Sequence, residues 1–150
     1  MPKIRNEIEI DAPPHRVWEI LSDPERLPQY NTTIIEVSDA TGRLDQVGTT
    51  YQAVARVYGR RIEGGWEVTE VTPLRRLVVR GSAPGGGAAT VIGTLEPTDR
   101  GTTRAAVEID YQLPAGFLGE LANKLFIERS IERDVRHTNE NLRALAESEG

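Results

Sequence analysis

Cysteine is absent from the sequence, which excludes disulfides, zinc–thiolate centres and thiol nucleophiles together. Histidine is nearly absent: only His15 and His137 are on hand as general bases near neutral pH. Every apolar run falls far short of the roughly 20 residues that span a bilayer, so no integral membrane association is expected. Lys and Arg number 18 against 23 Asp and Glu, a net charge of −5. That balance argues against nucleic acid as a partner, since phosphate contacts need clustered cations. The one basic grouping, Arg56, Arg60 and Arg61 with Arg75, Arg76 and Arg80, is interleaved with acids and reads as the solvated face of a sheet. The opening MPKIRNEIEI lacks the apolar core of a signal peptide, so a cytoplasmic location is expected. Gly85-Gly86-Gly87 has neither a following Lys-Ser nor GxGxxG spacing before a helix, so it cradles no phosphate. No metal-ligand spacing and no Ser-His-Asp arrangement emerges, and no cofactor or metal is expected.

What is present is 150 residues, 38% hydrophobic and 27% charged, enough for one sizeable core and read as a single domain over 1–150. The longest regular stretch is the last. Leu118, Leu121, Leu125, Ile131, Val135, Leu142 and Leu145 recur at steps of three and four, predicting one amphipathic helix from Pro114 to about Glu147. Pro114 suits a first turn, having no N–H to leave unpaired there.

Before that helix the pattern has period two. Ile4, Ile8 and Ile10 alternate with Arg5, Glu7 and Glu9, predicting a first strand over about 3–10. Asp11-Ala-Pro-Pro offers an N-cap and prolines for a short helix carrying Val17, Trp18, Ile20 and Leu21 to about Ser22. Asp23-Pro24 starts a second short helix that carries Leu27 towards Pro28 and Tyr30. Ile34 to Val37 opens a second strand, and Asp39 to Gly42 is a turn. Five further β-branched segments follow between regular breaks: Thr49–Tyr58, Arg61–Val71, Arg76–Ser82, Ala88–Leu95 and Thr102–Leu113. Ile62, Trp66 and Val68 share a face, as do Ala105, Val107, Ile109, Tyr111 and Leu113. One apolar and one charged face per strand predicts a meander of hairpins covered on one side only, with the long helix as cover.

That order of elements, together with IEIDAPPHRVWEILSDPERLPQY, WEVTEVTPLRRLVVRG, LEPTDRGTTRAAVEIDYQL and the closing ENLRALAES, resembles the START-like helix-grip (SRPBCC) superfamily, and within it the polyketide cyclase/dehydrase and lipid-transport group. The resemblance covers nearly the whole chain. It implies an α+β helix-grip fold: a curved seven-stranded antiparallel sheet wrapped around the long C-terminal helix, two short helices between strands 1 and 2, and an apolar cavity between sheet and helix.

Such a cavity needs apolar walls and a few orienting polar groups. The candidates for ligand binding are Tyr30, Tyr51, Trp66, Leu95, Tyr111, Phe117, Leu121, Leu125 and Glu128. In the third strand Tyr51, Ala53, Ala55 and Val57 compete with Val54 and Tyr58 for the inward face; the smaller set is taken as inward because alanines leave room. The competing reading is a solid core. Relative to Val135, Glu128 falls about 20° away, Asn139 about 40° and Glu132 about 60°, all within the apolar stripe. His137 lies about 200° away and is expected in solvent, as is His15. A carboxyl such as Glu128 facing an apolar cavity could act as acid or base or hold a ligand, making Glu128 and Tyr51 the catalytic candidates. The other reading of Glu128 is an ion pair, which its i, i+4 spacing with Lys124 and Glu132 supports. Leu118, Leu121 and Leu125 centre about 75° to one side of Val135, and Ile131, Leu142 and Leu145 about 45° to the other, predicting a drift or bend near Glu128. Phe126 and Ile127 lie off the stripe and could meet the 24–32 loop or a partner chain, so monomer and homodimer both stay open.

Three function classes remain. One is an enzyme that folds a poly-ketone chain and assists its cyclisation or dehydration. Another is a carrier of a small hydrophobic ligand, such as a polyketide, lipid or isoprenoid, without chemistry. The third is a co-chaperone-like interaction module.

Overall fold

The computed structural model describes residues 3–57, 59–115 and 124–149. Strand β1 (Lys3–Ile10) turns Ile4, Ile8 and Ile10 to one side, as their alternation requires. Helix α1 (Pro14–Leu21) buries Val17, Trp18 and Ile20. Its N-cap is Pro13, in extended conformation and without a side-chain cap, not Asp11. Two successive prolines preset φ and carry no N–H, so little remains for a carboxylate to cap. The Asp11 backbone N–H donates instead to Glu147 Oε2 at 2.8 Å. Asp23 does act as a cap: its carboxylate accepts from the Glu25 N–H at 3.0 Å, heading a 3-10 turn (Pro24–Arg26) that runs into α2 (Leu27–Tyr30).

The remaining strands are β2 (Ile34–Ser38), β3 (Thr50–Val57), β4 (Arg60–Thr72), β5 (Arg76–Ala83), β6 (Gly87–Pro97) and β7 (Thr103–Gln112). They form one seven-stranded sheet in the order β1-β7-β6-β5-β4-β3-β2, each neighbouring pair antiparallel. A bulge between Val68 and Glu70 changes which residues of β4 face inward. Val68 is fully buried opposite Val79, and past the bulge Val71 rejoins the apolar side while Glu70 accepts from Arg76 Nε at 3.0 Å outside. The convex face carries charge, with Lys3–Glu108 and Arg104–Glu7 pairs at 3.6 and 3.3 Å. Such exposed pairs contribute little to stability, so the fold rests on the other face.

Helix α3 (Lys124–Ser148) lies across that concave face against β1 and β7. The expected start at Pro114 is corrected: Pro114 is irregular, and the Ala115 N–H, in a 3-10 turn, donates to the Gly85 carbonyl at 2.7 Å. That bond ties the segment after β7 to the turn between β5 and β6. The buried face of α3 also differs from expectation. Ile127, Val135, Asn139, Leu142 and Ala146 are buried, whereas Leu125 is 55% exposed beside Phe126 at 61%. Ile127, expected off the stripe, is 3% exposed and defines it. From Ile127 to Ala146 the buried positions follow one helical face, with Leu125 outside it; Leu118 and Leu121, on which the expected drift also rests, lie outside the described residues.

The second half of α3 is pinned by polar contacts as well as by burial. Asn139 Nδ2 donates to Asn6 Oδ1 at 2.8 Å, and Asn141 Nδ2 to the Tyr30 carbonyl at 3.2 Å. The Thr32 N–H donates to Thr138 Oγ1 at 3.1 Å, while Arg26 pairs with Glu149 at the helix end. Two buried clusters result. One gathers Ile10, α1, α2, Tyr51, Val68, Leu95 and Leu142; the other gathers Ile4, Tyr111 and Val135.

Candidate functional site

Small inward side chains on the central strands leave space beneath α3. Ala53 and Ala55 on β3, Gly64 on β4, Gly81 and Ala83 on β5 and Ala89 on β6 line a recess of ≈ 220 Å³. One water needs only roughly 10–15 Å³ measured in this way, so the space is of ligand size. Its larger walls are Tyr51, Ile62, Trp66, Val79, Val91, Val107, Ile109 and Tyr111 from the sheet, with Ile131 and Val135 from α3. Leu27 and Ile34 close one end; Leu113 and Pro114 border the other. The set Tyr51, Ala53, Ala55 and Val57 is therefore the inward one on β3.

Polar groups are few: Asn31, Thr33, Ser82, Gln112 and Thr138, besides the wall residues Tyr51, Trp66 and Tyr111. Asn31 Oδ1 accepts from the backbone N–H groups of Thr33 and Ile34 at 2.9 and 3.0 Å, so its carbonyl serves the loop. Thr138 is similarly engaged with Thr32, whose hydroxyl lies 3.0 Å from the Asp134 carbonyl. Burial pushes the Tyr51 and Tyr30 phenols well above the usual range, and Tyr111 up to about 12. For Tyr111 the negative charges of Glu128 and Glu132 add to the burial effect. Each phenol is thus a neutral hydroxyl at ordinary pH, able to donate a hydrogen bond and unable to serve as a base. The Tyr111 hydroxyl is buried and has no hydrogen-bond partner among the described residues.

The aromatic wall has a definite geometry. Tyr51 and Trp66 are directly opposed on β3 and β4, and their rings lie parallel within 6° with centroids 6.2 Å apart. Trp66 is in turn opposed to Gly81 on β5. A Cβ built on Gly81 would lie 2.5–2.7 Å from the indole atoms Cδ2, Cε2 and Cε3, so the ring covers the bare backbone of β5.

The family described as polyketide cyclase / dehydrase and lipid transport matches residues 1–147. The chain belongs to this family. No curated protein matches it. Among solved structures, the protein TTHA0849 from Thermus thermophilus aligns with TM-score 0.79 at 22% identity, covering 99% of each chain. The Zhui aromatase/cyclase from Streptomyces sp. R1128 aligns with TM-score 0.80 at 18% identity, over 97% of this chain and 93% of that one. NE0264 from Nitrosomonas europaea gives 0.69 at 23%, over 98% and 95%. At these identities the structures establish the helix-grip architecture expected from the sequence, a half-barrel sheet with a long C-terminal helix, and no more.

Within this polyketide cyclase/dehydrase and lipid transport member, the candidate residues fall in three places. Tyr51, Trp66 and Tyr111 line the recess together. Tyr30 and Leu95 are buried in the larger core cluster, and neither is among the lining residues. Leu125 is corrected: it faces solvent. Glu128 is half-buried near Tyr111, one turn before the first lining residue of α3, Ile131. Phe117 and Leu121 lie outside the described residues. His15 and His137 are exposed, as expected from a helix start for the first and from its helical phase for the second. The glycines beneath the aromatic wall and the Asn31–Thr33 margin were not singled out from the sequence. A glycine inside a strand pattern, as in VVRGSA, is the signal that marks such a close approach.

Proposed function

We propose that this protein binds a small, mostly apolar molecule of polyketide, lipid or isoprenoid type in the recess between its sheet and α3. The observation that carries this reading is a ≈ 220 Å³ space walled largely by apolar groups, among them Trp66, Ile109, Val107, Ile131 and Val135, with few polar groups. An apolar recess leaves its walls in contact with water, and covering them with an apolar ligand is favourable. Family membership supports the same class of ligand.

Within that reading, the described residues support binding more directly than chemistry. A cyclase or dehydratase needs a group that moves protons, and burial keeps the Tyr51 phenol, the catalytic candidate in the wall, protonated at ordinary pH. It can polarise a carbonyl by donating a hydrogen bond but cannot abstract a proton. Glu128 is not among the residues that line the recess.

Native mass spectrometry of freshly purified protein tests the binding reading. An apolar adduct that is released by organic solvent is the expected result. Protein that carries no adduct, and whose melting temperature no apolar probe raises, would overturn it, since any ligand of the folded state must stabilise that state.

A further inference from the structure

We propose that Gly81 sets the shape selectivity of the recess: by letting the Trp66 indole lie flat on β5, it makes Trp66 and Tyr51 one aromatic wall that takes flat unsaturated rings in preference to saturated ones. The inference rests on the binding function proposed above and names the shape of ligand for that same recess.

Three observations converge on it. The near-parallel setting of the two rings gives them a shared orientation across β3 and β4. The indole sits where a Cβ on Gly81 would be, at 2.5–2.7 Å from three ring atoms, so any other residue at 81 must lift the ring off β5. Trp66 points to the concave side, lines the recess and is nevertheless only half-buried. Trp66 is thus the ring of the pair that offers surface to a ligand, and Tyr51, 4% exposed, stands behind it. Around the rings stand Ala53, Gly64 and Ala89, which leave the wall free of projecting groups.

The chemistry follows from the wall. An aromatic ring packed on another gains beyond the area it buries, through offset or edge-to-face contact between π-systems. A saturated ring system of the same skeleton has axial hydrogens on both faces and cannot approach as closely. The extra contact corresponds to roughly a threefold to tenfold tighter association per ring pair.

Calorimetric titration of the full chain with 1-naphthol and with decahydro-1-naphthol separates the outcomes, because the two share a skeleton and a hydroxyl. The wild type should bind 1-naphthol at least about threefold more tightly. In Trp66→Leu, which keeps an apolar wall, both compounds should bind with nearly equal affinity. In Gly81→Ala, where the indole is tipped into the recess, 1-naphthol should weaken by about tenfold. Should Gly81→Ala fail to fold, Trp66→Leu alone decides. Equal affinity of the two compounds in the wild type would overturn the shape selectivity and leave the binding function standing. Failure of both compounds to bind would sink the two proposals together.

Discussion

Three phenols, Tyr30, Tyr51 and Tyr111, are buried on the concave side, and burial raises all three. Each folded-state value lies above the unfolded value near 10, so the folded chain holds these protons longer than the unfolded chain does. Their contribution to stability is complete below about pH 10 and is lost as pH rises through the folded values. Chemical unfolding followed from pH 8 upward should therefore show stability that declines from about pH 10. In Tyr111→Phe the decline should be shallower up to about pH 12. The same variant removes a buried hydroxyl that has no partner among the described residues, and should gain about 1 kcal/mol at pH 7. A Tyr111→Phe protein that is less stable at pH 7, with an unchanged alkaline slope, would contradict this account of the residue. Tyr51, Trp66 and Tyr111 were legible in the sequence because alternation along a strand fixes which side chains turn inward. Gly81 was not, since its significance depends on which residue of β4 lies opposite. That register is a property of the paired strands, and neither strand alone encodes it.

At the scale of elements, the strands were easier to read than the helix. Every strand expected from period-two patterning is present, with its limits shifted by a few residues, because each is bounded by turn residues that cannot extend it. The β4 bulge escaped notice because one extra residue in a run of mixed polarity leaves no compositional mark. For α3, leucine at 125 and isoleucine at 127 are equally apolar, and only packing against β1 and β7 decides between them. The anchor of that packing is polar. Asn139, 3% exposed within the apolar stripe, meets Asn6 from the inward face of β1. Asn139→Ala would leave Asn6 without this donor and open a small void, and should cost about 1–3 kcal/mol in unfolding free energy. Asn139→Asp, which offers an acceptor where a donor is needed, should cost at least as much. A loss below the error of the measurement for both variants would show that burial alone fixes the helix.

For the whole molecule, the arrangement places strong and weak packing in different regions. The end beneath α1 and α2 is a filled core around Val17, Ile20, Val68 and Leu95, joined to the second half of α3. Beneath Ile131 and Val135 the sheet instead presents alanine and glycine, and the space stays open. The family-wide architecture was legible in the element order, because that order is dictated by long, regular segments. The content of the recess was less so, because it depends on side chains from several strands converging across a curved sheet. The central claim, that this recess is a binding site, is tested most directly by filling it. Ala55→Leu with Ala89→Leu adds two isopropyl groups on inward positions that are half-buried and line the space. Calorimetric titration of 1-naphthol should show one saturable site in the wild type and affinity at least about tenfold weaker in the filled protein, a loss of about 1.4 kcal/mol. The melting temperature should not fall. Equal affinity in the two proteins, with both fully folded, would place binding elsewhere and contradict the account.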